Sequence, residues 1–248
     1  MGKIIAIGGG ELKDLDTFSI DSEIVKLTGK KNPKALFIPT ASSDAEGYCE
    51  TFRQIYGDKL GCNIDVLKLV NETPSKEEIK GKILGSDLIY VGGGNTKTML
   101  EIWKKYGVDK LLSQAYEKGI VLSGLSAGAI CWFKYGCSDS PRFNDPKDKS
   151  VIRINGLGIV NLTLSPHHIR EEYRDQGLVK IMKTTPGVGI GLDDNCALEI
   201  VDGTYRFIRS KENVGAKKVF YKNDKPICNK VEAGNDFFPI NNLIKKNN

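Results

Sequence analysis

Gly119-Ile120-Val121-Leu122-Ser123-Gly124-Leu125-Ser126-Ala127-Gly128-Ala129-Ile130 is the stretch whose reading decides the fold. A short apolar run of strand character passes through Gly-x-Ser-x-Gly and continues into small, helix-compatible residues. That order predicts a nucleophile elbow, a sharp strand-to-helix turn that lifts a serine hydroxyl above the carboxyl edge of a sheet. Gly124 and Gly128 suit such a turn because a Cβ at either position would crowd the backbone. A helix starting after Ser126 would aim free N–H groups and its positive dipole end at an oxyanion formed there. The plainer reading is a small-residue turn between a strand and a helix, so the rest of the chain has to decide.

Upstream, the pattern repeats. Lys3–Ile7 and Ala35–Thr40, stopped by its proline, read as buried strands, Ile64–Leu69 alternates like a strand, and Asp87–Val91 is a fourth. Helices are predicted over residues 17–28, from a cap at Ser42 or Ser43 through Tyr56, after a capping box at Ser75–Glu78, over 98–106 and over 108–117. Alternating strands and helices predict a parallel sheet covered on both faces, with the site at the carboxyl ends of the strands. Two glycine runs end strands on that edge, Gly8-Gly9-Gly10 and Gly92-Gly93-Gly94-Asn95. The first lacks the third glycine of a dinucleotide fingerprint, since position 13 is Lys13, and the second lacks the Gly-Lys-Ser/Thr ending of a phosphate loop.

Downstream the character changes. Residues 136–150 read as a polar loop, 156–165 as returning strands, 169–183 as a polar helix and 189–192 as a short strand. Residues 197–235 read as an antiparallel addition with turns at Asp202-Gly203 and Asn223-Asp224, and 244–248 as a disordered tail. With no repeat and no linker, residues 1–248 are expected to form one domain.

Composition excludes several classes. The chain has 248 residues, a net charge of +5, 40% hydrophobic and 27% charged residues, as expected of a globular protein. Its lysines are dispersed, which gives no electrostatic case for nucleic acid, and no apolar run is long enough for a membrane span. Six cysteines without a Cys-x-x-Cys pair, together with an amino terminus that enters a strand at once, predict reduced thiols and a cytoplasmic location.

The chain has two histidines, His167 and His168, both after a predicted strand end. A hydrolytic serine needs a base that titrates near neutral pH, so one of them must serve Ser126 if Ser126 is a nucleophile. Adjacent side chains diverge and no third nitrogen ligand exists, so no metal is expected. For the orienting acid, Asp193 and Asp194 end a strand on the active edge and Asp139 sits in the loop after the elbow. Asp and Asn are also ordinary turn residues.

Four motifs in order, Val91-Gly92-Gly93-Gly94-Asn95-Thr96, the Gly124–Ala129 elbow, Leu164-Ser165-Pro166-His167-His168-Ile169 and the Gly189–Glu199 stretch, resemble the dipeptidase E and cyanophycinase family of serine peptidases. The resemblance covers about Lys3 to Glu199. It implies a three-layer α/β/α sandwich with a mostly parallel central sheet, related to class I glutamine amidotransferases with serine in place of cysteine. It implies a triad of Ser126 as nucleophile, His167 as base and Asp194 as acid, where family members carry Glu, with Asp139 in reserve. Backbone N–H groups of Gly94 and Ala127 would form the oxyanion hole; one such donor is typically worth about 2.7–4 kcal/mol. No cofactor is implied.

Dipeptidase E members remove amino-terminal aspartate from dipeptides, and such a site needs a cation. Arg170 and Arg174, one helical turn apart, are the expected pair, with Asn95 as a further substrate-binding residue; a solvated helix face is the plainer account of the arginines. Action on β-aspartyl-arginine, as in cyanophycinase, and a non-catalytic small-ligand-binding domain are the alternatives. The expected partner is a small peptide, with no nucleic acid or membrane, as a monomer or homodimer.

Overall fold

The computed structural model describes residues 2–168 and 172–246. In chain order its elements begin with β1 (Lys3–Ile7), α1 (Phe18–Leu27), β2 (Lys34–Ile38), α2 (Glu46–Phe52), β3 (Asn63–Val66), α3 (Lys76–Leu84), β4 (Leu88–Val91), α4 (Thr96–Tyr106) and α5 (Val108–Glu117). β5 (Val121–Leu125), α6 (Ala127–Ile130), β6 (Phe133–Ser138), β7 (Ile152–Asn155), β8 (Val160–Ser165) and α7 (Glu172–Thr184) follow. The chain closes with β9 (Gly189–Leu192), β10 (Cys196–Val201), β11 (Thr204–Arg209), β12 (Ala216–Lys222), β13 (Lys225–Val231), β14 (Phe238–Pro239) and α8 (Ile240–Ile244).

The fold is of the α/β class. Its central sheet has the order β14-β11-β10-β1-β5-β4-β2-β3, in which β1, β5, β4, β2 and β3 are parallel. Side chains on these strands alternate between two apolar clusters, as a pleated ribbon requires. Ile5, Ile7, Phe37 and Tyr90 pack with Ile20 and Ile24 of α1 and Phe52 of α2. Ile4, Ala6, Leu36, Ile38, Ile89 and Val91 face the other way, toward Ile79, Ile83, Trp103 and Leu112 of α3, α4 and α5. Burial on both faces is why β1, β2 and β4 read as apolar runs, while β3, at the sheet edge, alternates. Each fully buried Ile or Leu contributes about 1.5–3 kcal/mol.

A second sheet, β13-β12-β9-β8-β6-β7, joins the same apolar cluster through Leu162, Leu164, Ile190, Leu192 and Phe220. It was not expected. Phe133–Ser138 is a strand running into what reads as loop, because its polar outer positions mask a buried Phe133 and Cys137. The antiparallel addition predicted over 197–235 also divides: β10 and β11 extend the central sheet, while β12 and β13 extend the second. Its two turns lie where the sequence puts them. Asp202-Gly203 and Asn223-Asp224 all have positive φ, the conformation of two-residue hairpin loops.

Local capping follows the sequence in one place and departs from it in another. Ser75 Oγ accepts from the Glu78 N–H at 3.1 Å, as the capping box predicts. Neither Ser42 nor Ser43 caps α2; the residue before that helix is Ala45, and Ser43 and Asp44 turn the chain with φ of 56° and 57°. Asp44 instead turns its carboxylate on the backbone N–H groups of Leu69, Val70 and Asn71. Five cysteines are buried and unpaired, and Cys228 is exposed. Among the described residues no helix is long and apolar enough to cross a membrane.

Candidate active site

The elbow forms as the Gly-x-Ser-x-Gly spacing requires. Ser126 follows the last residue of β5 with φ 56° and ψ −109°, a strained backbone that non-glycine residues adopt rarely and chiefly at functional sites. A Cβ on Gly124 would stand 2.5 Å from the Gly128 carbonyl, and one on Gly128 would stand 2.0 Å from the Val91 carbonyl. Both glycines are therefore dictated by close backbone approach. Ser126 accepts the first turn of α6, its carbonyl bonding to the N–H groups of Ala129 and Ile130. Ser123, the other serine of the run, is buried in β5 and donates to the Ile89 carbonyl.

His167 comes from the end of β8 and Asp194 from the end of β9, so the second sheet delivers both to the serine that the central sheet presents. Ser126 Oγ lies 2.9 Å from His167 Nε2, and His167 Nδ1 lies 2.5 Å from Asp194 Oδ1. The carboxylate can only accept at Nδ1, which leaves Nε2 as the acceptor for the serine hydroxyl. Asp194 thus reaches the imidazole although it is one methylene shorter than Glu. His167 has φ 55°, a second strained position in the cluster.

Neighbours in sequence part company here. His168 is buried on the opposite side, with Nε2 3.1 Å from Asp175, and burial pushes its imidazole below the usual value despite that carboxylate. Asp193 is buried too and accepts the Gly215 N–H at 2.8 Å. Only one histidine and one aspartate of each adjacent pair face Ser126.

The first glycine run stitches the two sheets together. The Gly8 carbonyl accepts from the His167 N–H at 3.1 Å, the Gly9 carbonyl from Asn195 at 2.9 Å, and Ser126 donates to the Ile7 carbonyl at 3.0 Å. A Cβ on Gly9 would lie 1.9 Å from Asp194 Oδ1 and 2.4 Å from His167 Nδ1. Gly9 is a site residue that the sequence analysis missed. The signal was present in the triple glycine, but nothing local said what approaches it.

Several expected site residues have other employment. Asp139 pairs with Arg142 at 3.1 Å and with Arg174 at 2.5 Å, so the carboxylate on His167 is that of Asp194. Arg174 was expected to face substrate. It is buried, only 2% exposed, and its charge is committed to Asp139. Asn95 was expected to bind substrate, yet its side chain caps α4, accepting from the Thr98 N–H at 3.2 Å. Arg170 lies outside the described residues. Ala127 is the first residue of α6, beside Ser126, while Gly93 and Gly94 line the facing loop. A Cβ on Gly93 would stand 3.5 Å from the Ser126 Cβ, and Gly94, at φ 140°, packs against the Ala41 carbonyl. Among the described residues no cluster of His, Cys, Asp and Glu is suited to a metal ion.

Comparison with known proteins places the chain among peptidases of one family. A family model described as peptidase family S51 matches residues 4–208. The uncharacterized peptidase YgaJ of Bacillus subtilis (strain 168) is 32% identical over 222 residues, covering 88% of this chain and 92% of that protein. The uncharacterized peptidase Lmo0363 of Listeria monocytogenes is 30% identical over 141 residues, 56% of this chain and 67% of its own. Among solved structures, a peptidase from an acI-B1 Actinobacterium superposes with a TM-score of 0.71 at 19% identity, covering 96% of this chain and 97% of that one.

Proposed function

This chain belongs to peptidase family S51, and from that premise we propose that it is a serine-type dipeptidase that hydrolyses small peptides beginning with aspartate. The observation that carries the reading is the Ser126–His167–Asp194 relay, with contacts of 2.9 and 2.5 Å. In this mechanism Ser126 Oγ attacks the peptide carbonyl as His167 Nε2 takes its proton. Asp194 holds the imidazole in the tautomer that leaves Nε2 free and stabilises the imidazolium that forms. The N–H groups of Ala127 and Gly94 receive the oxyanion, helped by the positive end of α6. The imidazolium then protonates the departing amine. Water, deprotonated by the same nitrogen, releases the acid from the acyl-enzyme.

Cleavage of β-aspartyl-arginine uses the same three residues and is the second reading within this chemistry. The discriminating experiment is hydrolysis of Asp-X, Glu-X, Leu-X and β-Asp-Arg by the protein and by Ser126→Ala. Asp-X turnover that vanishes in the variant is the expected result. Selective β-Asp-Arg cleavage moves the protein to the second reading. Full activity in Ser126→Ala refutes Ser126 as the nucleophile, and absence of cleavage across the panel leaves the binding-domain reading.

A further inference from the structure

A cavity of about 340 Å³ opens beside the relay, bounded by Gly10, Gly93 and Leu125 with Tyr48, Glu11 and Lys13. Its floor is shared with the site. Leu125 immediately precedes Ser126, Gly93 faces the Ser126 side chain, and Gly10 follows the glycine that touches Asp194 and His167. The volume falls within the range of small-molecule sites, about 300–1,000 Å³, at its lower end. A dipeptide is a ligand of that scale.

Two opposite charges stand at its rim. Glu11 and Lys13 are exposed, and among the described residues no ion pair holds either of them, whereas nearby Asp16 pairs with Lys211. Leu12 between them is buried, which anchors the short turn Leu12–Asp14 and points its flanking side chains outward. A carboxylate and an ammonium two residues apart complement a ligand that carries both charges on neighbouring atoms. The first residue of an aspartyl dipeptide has that pattern, an α-ammonium and a β-carboxylate. Of the two arginines suggested by sequence, Arg174 is committed to Asp139 and Arg170 lies outside the described residues, whereas Lys13 lines the cavity.

We infer that this cavity receives the amino-terminal residue of the substrate, with Glu11 accepting the α-ammonium and Lys13 holding the acidic side chain. The inference rests on the dipeptidase reading and names its specificity residues. Charge-assisted contacts of this kind separate a ligand from its neutral isostere by about tenfold or more.

The test compares Asp-Leu, the isostere Asn-Leu and N-acetyl-Asp-Leu. Lys13→Met is expected to raise KM for Asp-Leu about tenfold, to leave KM for Asn-Leu unchanged and to keep kcat within about twofold. Glu11→Gln is expected to raise KM for both free dipeptides and to narrow the discrimination against the acetylated one. Both residues are exposed, so the melting temperature should not move. An equal rise for Asp-Leu and Asn-Leu in Lys13→Met overturns the assignment, because Lys13 would then read the substrate's carboxyl terminus. An unmoved KM overturns it too. A parent protein that cleaves no free dipeptide sinks the dipeptidase reading itself; a parent that cleaves Asp-Leu while both variants match it sinks only this inference.

Discussion

Gly9→Ala isolates the effect of a single methyl group on the relay. Gly9 does not have the positive φ that makes an alanine strained, so the backbone accepts the substitution. What it does not accept is the new Cβ, 1.9 Å from Asp194 Oδ1 and 2.4 Å from His167 Nδ1. Ordinary contact between a methyl carbon and either atom is above 3 Å, so the pair must move by about an ångström. A misplacement of about 1 Å costs on the order of 10²-fold in rate. Full loss of the aspartate's control over the tautomer costs about 10⁴-fold. The expected fall in kcat therefore lies between about 10²- and 10⁴-fold, or about 2.7–5.4 kcal/mol of barrier. The assay is dipeptide hydrolysis under saturating substrate, paired with thermal melting to show that the fold persists. Gly81→Ala is the control, since its Cβ would meet nothing within 4 Å; its helical position makes alanine favourable by about 1 kcal/mol. Activity of Gly9→Ala within threefold of the parent would refute the reasoning, because the crowded pair would then be irrelevant to turnover.

The two candidate acids should separate cleanly. Asp194→Asn is expected to lower kcat by about 10⁴-fold with little change in melting temperature. Asp139→Asn should leave the chemistry largely intact but cost about 3 kcal/mol in a denaturant titration, since it withdraws a carboxylate from buried Arg174. A reversed pattern would return the acid's role to Asp139. Asp21, buried between Thr17 and Tyr56, gives a pH signature. Burial raises its carboxyl from an ordinary 3.8 to about 6, against the hydrogen bonds from Tyr56 and Thr17 that lower it. A folded value above the unfolded one means stability that is complete below about pH 3.8 and lost as pH rises through about 6. The loss is worth about 3 kcal/mol. Asp21→Asn should therefore be the more stable protein at pH 7.5 by up to that amount, with the gap closing near pH 4; urea midpoints across that range check it, and a variant that is weaker at pH 7.5 contradicts the sign.

Local chemistry was legible from the residues alone. The elbow at Ser126, the capping box at Ser75, the hairpin turns at Asp202-Gly203 and Asn223-Asp224 and the doubly buried parallel strands all follow from preferences acting over a few residues. Long-range placement was harder to read. Phe133–Ser138 looked like the edge of a loop because one face of that strand is polar, and only packing against β8 and β7 makes it a strand.

By itself, then, the sequence determined the α/β class, the serine on a sharp strand-to-helix turn and the pool of two histidines and three aspartates from which its partners had to come. The tertiary structure decided which of them lie within hydrogen-bond reach of one another. Adjacent residues at a strand end point to opposite sides, so residue chemistry alone left His167 or His168 and Asp193 or Asp194 open. The family resemblance pointed to His167 and Asp194, and the seating of β8 and β9 against the central sheet is what brings that pair to Ser126. That placement runs through hydrogen bonds from His167 to the Gly8 carbonyl and from Asn195 to the Gly9 carbonyl, between segments more than 150 residues apart. The same distance hid the purpose of Gly9 and the pairing of Arg174 with Asp139. A side chain's chemistry is written in its own residue, but its partner is chosen by packing between elements that no local pattern links.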